Sequence, residues 1–369
     1  MKKNILIIIT HILLSLTFFG CNNMAIPPRE EIKNTPMPVH AVTSILKTVP
    51  AISPDDEKAF KQNERLRRGI NLGNMLEAPN EGEWGLLVKE EYFDWIKEAG
   101  FQSVRIPIRW SAHTQTEAPY TIDPQFFERI DQVIEQALKR DLAVVINIHH
   151  YEEIHIEPRL HKERFLAIWD QIAERYQDLP DNVFFEILNE PQGTLASVSW
   201  NEYAAEAIET IRRTNPRRSL IVGPGDWNSI NGLPGLLLPE EDRNILVTIH
   251  YYLPFQFTHQ GAEWVEGTDA YLGTTWDGTE AEIKLIESDF DRAAKWAERS
   301  RRPIFLGEFG AYYKADMDSR ARWTEAVARQ AEKRGWSWAY WEFGSGFGAF
   351  DPEKKAWREP LLRALIPAD

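Results

Sequence analysis

One cysteine, Cys21, stands among 369 residues, so no internal disulfide can form and the core must hold the fold. Nor is there a glycine-rich phosphate loop, a dinucleotide fingerprint or an HExxH pattern, which removes the usual signals of nucleotide, nicotinamide and zincin chemistry. Positive charge is in deficit. With 42 Lys and Arg against 56 Asp and Glu, the formal net charge is −14, which argues against nucleic acid and anionic membrane as electrostatic partners and leaves a neutral substrate easier to accept. The apolar run at 5–19 is too short and too interrupted (His11, Ser15, Thr17) for a membrane span. Preceded by Lys2 and Lys3, it reads as an export signal over 1–20.

What the chain does have is tryptophan, 14 residues, more than a core of this size demands and suited in part to stacking on sugar faces. Thr17-Phe18-Phe19-Gly20-Cys21 resembles the box of bacterial lipoprotein signals, with Phe18 where leucine is usual. The resemblance implies cleavage, lipidation of Cys21 as the first mature residue and a lipid anchor in the cell-surface or outer membrane. An ordinary cleaved signal with secretion is the alternative. Residues 21–61, with prolines at 27, 28, 36, 38, 50 and 54, read as a flexible tether.

From residue 62 to 369 the texture is that of one domain. Apolar, β-prone runs at 67–74, 103–108, 143–150, 183–190, 219–225, 244–252, 303–310 and 336–343 alternate with amphipathic stretches at 89–99, 124–140, 162–178, 200–214, 280–299, 319–334 and 359–366. The second stretch shows its period in Phe127, Ile130, Ile134 and Leu138, and Asp123-Pro124 supplies a cap and a first-turn proline. Between the fifth and sixth strands the helix shrinks to about 233–238. Eight strands in about 300 residues predict an α/β fold of the (β/α)8 TIM-barrel class. An open doubly wound sheet is less favoured, since its glycine-rich first turn is absent.

In a barrel, all strand carboxyl ends meet on one face. Those ends carry Asn74, Arg105, His149, His150, Asn189, Glu190, His250, Tyr252, Glu308 and Trp341, whereas the starts are mixed and bland. A glutamate ending a buried strand is costly unless it is paired, at an open mouth, or used chemically. Glu190 and Glu308 end the fourth and seventh strands and so face each other across the rim. Two opposed carboxyls are the minimum for glycoside hydrolysis, one protonating the leaving oxygen and one stabilising the anomeric carbon.

Asn189-Glu190-Pro191 on a fourth strand and Gly307-Glu308-Phe309-Gly310 on a seventh resemble the signature of glycoside hydrolase family 5, over roughly 65–366. The resemblance implies a retaining mechanism with Glu190 as general acid/base and Glu308 as nucleophile, and no metal or cofactor. It implies that Arg105 lies beneath the nucleophile, that His149 and His150 contact the sugar before the cut, and that Asn189 bonds its 2-hydroxyl. It places His250 and Tyr252 beside the acid and the nucleophile, and Trp341 at the floor of the cleavage subsite. Asn74 and Glu77 resemble a distal-subsite pair, and His259 and Trp264, in the long insertion after strand six, a cleft wall. A metal on His149, His150 and His155 lacks further ligands. Trp95, Trp169, Trp296 and Trp323, on helical stretches, read as packing.

The implied partner is a β-linked polysaccharide or oligosaccharide, cut internally by a monomer. Endo-β-1,4-glucanase leads, with mixed-linkage glucan, xyloglucan or glucomannan as further substrates. The alternatives are a β-1,4-mannanase, an exo-acting β-glycosidase, or a non-catalytic surface glycan-binding lipoprotein. Loops after strands one to five read as short, which favours an open groove.

Overall fold

The computed structural model describes residues 54–195 and 197–367. The export signal, Cys21 and the tether up to residue 53 lie outside the described residues. Among the described residues no helix is long and apolar enough to cross a membrane.

Eight parallel strands, β1 (Arg68–Asn71), β2 (Ser103–Ile106), β3 (Ala143–Asn147), β4 (Val183–Glu186), β5 (Leu220–Val222), β6 (Ile245–Tyr251), β7 (Ile304–Phe309) and β8 (Ser337–Tyr340), close in sequence order. β8 pairs back onto β1, so that Ile70 has Val104 on one side and Tyr340 on the other. Because both faces of each strand are covered, apolar residues run consecutively rather than alternating. Val145, Phe184, Ile221, Leu246 and Phe305 fill the barrel's inside. Their neighbours Val144, Ile146, Phe185 and Val247 face the helices in the outer cluster.

The helices in chain order are α1 (Pro54–Leu66), α2 (Glu90–Glu98), α3 (Pro124–Lys139), α4 (Glu152–Ile156), α5 (Pro158–Arg175), α6 (Ser197–Arg212), α7 (Phe255–Thr258), α8 (Glu280–Ser300), α9 (Met317–Glu332) and α10 (Glu359–Leu365). In α3, Asp123 accepts from the Gln125 N–H ahead of Pro124, a cap worth about 1 kcal/mol. Phe127, Ile130 and Ile134 are buried as the stripe requires, each contributing roughly 1.5–3 kcal/mol relative to exposure. Only a 3₁₀ turn, Ile230–Gly235, fills the weak fifth unit.

Three expectations need correction. The tether does not reach residue 61, because α1 begins at Pro54 and closes the amino-terminal mouth of the barrel. Ala59 and Leu66 join the inner core, the Asn63 amide donates to Ile304 O at 3.2 Å, and Ser337 Oγ donates to Asn63 O at 2.5 Å. Proline content read as tether missed this apolar face. The strands also stop earlier than expected, so Glu190 lies beyond the end of β4 rather than on it. Backbone bonds to both neighbours continue past that end, Ile187 N–H donating to Ile221 O at 3.0 Å and Asn189 N–H to Ile148 O at 2.9 Å, although the regular strand is over. Finally, the loop after β1 is long, spanning 72–89.

Candidate active site

At the base of the site is Arg105 on β2, wholly buried, with acceptors for all five of its guanidinium N–H groups. Nε and Nη2 donate to the two oxygens of Glu186 at 2.6 and 2.8 Å. Nη1 donates to Glu308 Oε1 at 2.7 Å and to Asn71 Oδ1 at 2.9 Å, and Nη2 also reaches Asn189 Oδ1 at 2.8 Å. Burial alone would lower the Arg105 pKa, but the carboxylates of Glu186 and Glu308 more than offset that and raise it. The cation is therefore permanent, and it faces two carboxylates.

Glu308, on β7, also accepts from the Tyr252 hydroxyl at 2.8 Å. Its pKa is raised: burial pushes it up and the neighbouring Glu190 adds to that, while Arg105 and the Tyr252 hydrogen bond pull it only partly back. Glu190 stands four residues past β4 with a left-handed φ of 46°. Burial pushes its carboxyl up to about 7, against the pull of Arg105 and His150. One oxygen of each glutamate and one ring nitrogen of His250 lie within 4.8 Å of one another. At that spacing the two carboxyls cannot both ionise cheaply, and Arg105 decides which one does. The guanidinium bonded to Glu308 favours the charge there and leaves the proton to Glu190, whose carboxyl is held up to about 7.

His250 fixes how that proton is held. Its Nδ1 is 2.7 Å from Glu190 Oε1, and the Asn228 amide nitrogen lies 3.3 Å from its Nε2. Burial lowers its pKa to about 4, so the ring is neutral. With Asn228 donating to Nε2, the ring hydrogen is on Nδ1 and points at Glu190 Oε1. Glu190 is then left to carry its own proton on the other oxygen.

Neighbouring side chains are oriented by the same kind of constraint. Arg105 holds the Asn189 oxygen, which turns the amide nitrogen of Asn189 away from the guanidinium as a donor. The Asn147 amide nitrogen lies 3.2 Å from His149 Nδ1, leaving Nε2–H as the donor of a ring that burial keeps neutral. The Trp341 ring lies parallel to that of His149, centroids 5.8 Å apart.

Asn74, His149, His150, Asn189, Glu190, His250, Tyr252, His259, Trp264, Glu308 and Trp341 all border one cleft of about 1000 Å³. Arg105 lies beneath it. Glu77 is the exception: it is fully buried and accepts from the backbone N–H groups of Asn74 and Met75, so it does not reach the cleft surface. Its carboxyl organises the loop that carries Asn74. Trp169 and Trp323 are buried, and Trp95 and Trp296 pack against the outer core.

Sequence reasoning missed Asn71, Glu186, Asn147, Asn228, Trp84 and Trp227. Two of them carried a signal. Asn147 precedes His149 by two residues on β3, and Glu186 is a second acid within the apolar run leading to Glu190. Trp84 and Trp227 sit in loops without periodicity, yet both border the cleft with 41% and 50% of their surface exposed.

Known proteins resemble this chain over the barrel. Endoglucanase H of Acetivibrio thermocellus is 38% identical over 304 residues, which is 82% of this chain but 32% of the relative. The chain therefore spans about a third of that relative's length. Endoglucanase B of Clostridium cellulovorans is 28% identical, covering 82% of this chain and 74% of the relative. Thermotoga maritima Cel5A, solved with mannotriose, superposes with a TM-score of 0.82 at 54% identity, over 84% of this chain and all of Cel5A. Cel5A solved with cellobiose gives the same TM-score at 55% identity and the same coverage. The model of the cellulase family, glycosyl hydrolase family 5, matches residues 68–346, and with the barrel and its opposed glutamates it places this chain in that family.

Proposed function

We propose that this protein is a retaining endo-β-1,4-glucanase. The observation that carries the reading is the pair of opposed carboxyls within 4.8 Å of each other: Glu308 bonded to Arg105 and the Tyr252 hydroxyl, and Glu190, which no guanidinium bonds and whose carboxyl burial holds up to about 7. Retaining glycosidases need their carboxyls about 5–5.5 Å apart, whereas inverting ones leave room for a water at ~6.5–9.5 Å. Glu308 attacks the anomeric carbon as Glu190 gives its proton to the leaving oxygen, and a glycosyl ester on Glu308 results. A water then gives a proton to Glu190 and attacks the same carbon, which frees Glu308. Arg105 and the Tyr252 hydroxyl hold the nucleophile, and the Asn189 amide is the donor for the sugar 2-hydroxyl.

The backbone assigned is glucan, on the relatives' names; mixed-linkage glucan, xyloglucan and glucomannan share its β-1,4 bonds. The test is product analysis on carboxymethylcellulose, lichenan, glucomannan and mannan side by side. Rapid viscosity loss with β-configured oligosaccharide products on the glucans supports the reading. Activity confined to mannan, or α-configured first products, overturns it.

The enzyme acts as an exported monomer anchored through a lipid on Cys21. Palmitate labelling that disappears in Cys21→Ser checks the anchor, and sedimentation of the protein lacking residues 1–21 checks the monomer.

A further inference from the structure

We propose that Thr258 is a positioning residue that fixes His259 as a hydrogen-bond acceptor toward the sugar chain. The substrate in that statement rests on the glucanase reading above, whereas the lock on the histidine does not. Thr258 ends α7, the short helical turn after β6, and is wholly buried. Its Oγ1 has two polar neighbours, Tyr252 O at 2.6 Å and His259 Nδ1 at 3.0 Å.

A hydroxyl has one hydrogen to donate, and a backbone carbonyl can only accept. At 2.6 Å from Tyr252 O, the Thr258 hydrogen is therefore committed to that carbonyl. What Oγ1 has left is acceptor capacity, so its contact with the histidine is His259 Nδ1–H donating to Thr258. Burial lowers the His259 pKa to about 4, so the ring is neutral and carries no second hydrogen. Its Nε2 is bare. His149, whose Nδ1 faces the Asn147 amide, is set the other way and offers Nε2–H. The two histidines thus present opposite polarity to one cleft.

The surrounding rings hold the imidazole in that orientation. It stacks on Phe255, centroids 4.3 Å apart with 12° between the planes, and meets Tyr252 and Phe347 edge-on at 5.0 and 5.5 Å. Thr258 is itself tied to the loop after β7, where the Tyr312 N–H donates to Thr258 O at 2.8 Å. Through Tyr252, whose hydroxyl donates to Glu308, the same threonine joins the cleft wall to the nucleophile. A fixed acceptor beside the nucleophile selects a sugar hydroxyl that points its hydrogen at the wall, and a neutral hydrogen bond of this kind is worth about 1 kcal/mol, roughly fivefold in binding.

Heavy-nitrogen labelling of the histidines lets NMR read the tautomer, and the signal missing from His259→Gln assigns it. At neutral pH wild-type His259 is expected to carry its hydrogen on Nδ1; a hydrogen on Nε2 overturns the proposal without recourse to any threonine variant. Thr258→Ser keeps the hydroxyl, and is expected to keep that tautomer and a KM for cellopentaose within about twofold of wild type. In Thr258→Val the hydrogen moves to Nε2, and KM rises about fivefold with kcat within about twofold, since the bond lost is made in ground and transition state alike. A valine variant whose Tm falls while tautomer and KM stay unmoved marks Thr258 as packing and overturns the proposal. So does a fall in kcat at constant KM, which marks it as a prop for Tyr252 alone. Wild-type enzyme with the hydrogen on Nδ1 that leaves cellopentaose intact overturns the glucanase reading instead, and the lock on His259 stands.

Discussion

Arg105→Lys is the perturbation with the sharpest expectation. Arginine presents five donors in a planar fork, and all five are used here, on Glu186, Asn71, Asn189 and Glu308. Lysine keeps the charge but offers three donors from a single nitrogen, which cannot bridge both oxygens of Glu186 and also reach across to Glu308. At least two charge-assisted hydrogen bonds are lost in a site closed to water. At about 1.5–3 kcal/mol each, the cost is about 3–6 kcal/mol, which corresponds to a Tm lower by roughly 6–12 °C at the ~2 °C per kcal/mol of a chain this long. Activity falls separately. Glu308, with a weaker hold on the cation, is harder to ionise, so the acidic limb of the kcat/KM profile moves to higher pH. Differential scanning calorimetry and a pH profile taken well below Tm separate the two effects. A lysine variant within 1 °C of wild type, with an unmoved acidic limb, would refute the claim that the fork holds the site together.

Other expectations follow from single groups. Glu308→Gln abolishes hydrolysis while oligosaccharide binding survives, measured by calorimetric titration. Glu190→Ala loses at least about 100-fold in kcat/KM on cello-oligosaccharides but far less on dinitrophenyl cellobioside, whose leaving group needs no proton; equal losses would misplace the acid. In wild type the alkaline limb of kcat/KM lies near pH 7, because Glu190 is held up to about 7 and must stay protonated to act; activity falls as pH rises through that value. Burial likewise raises the Glu77 carboxyl to about 7, so the stability it contributes is fully present below about 4.5 and lost as pH rises through 7. Glu77→Gln should therefore make the fall in Tm between pH 5 and pH 8 shallower. Leu66→Ala, which opens a cavity at the closed end of the barrel, costs about 2–5 kcal/mol by urea unfolding.

The barrel was legible because parallel strands covered on both faces leave a simple trace: short apolar runs, each followed by a helix with its own stripe. The same trace blurs where strands stop. Ile187 and Leu188 continue the apolar texture of β4 past its regular end at Glu186, because they remain in the protein interior and Ile187 still donates to Ile221 O. Periodicity reports burial, and burial outlasts the regular strand. α1 was missed for the mirror-image reason. Its buried face is small, and the proline at its first position has the composition of a tether although it sits at the helix start.

The active site divides along the same line. Residues that touch the reaction were legible because carboxylates, histidines and an arginine are expensive to bury and stand out in apolar surroundings. Residues that orient them were not. Asn71, Asn147 and Asn228 are neutral amides whose importance lies only in which neighbour they face, and that is a property of the closed barrel. Yet they decide the chemistry. Asn228 sets the tautomer of His250, and His250 sets which oxygen of Glu190 carries the proton. Arg105 turns the oxygen of Asn189 toward itself and leaves its nitrogen for the sugar. Replacing any one of them removes no charge, so a loss of activity larger than the loss of stability is the signature expected of each. Asn228→Asp tests it most severely. It exchanges the amide that donates to His250 for a carboxylate that accepts, which draws the ring hydrogen to Nε2 and leaves Nδ1 to compete for the proton of Glu190.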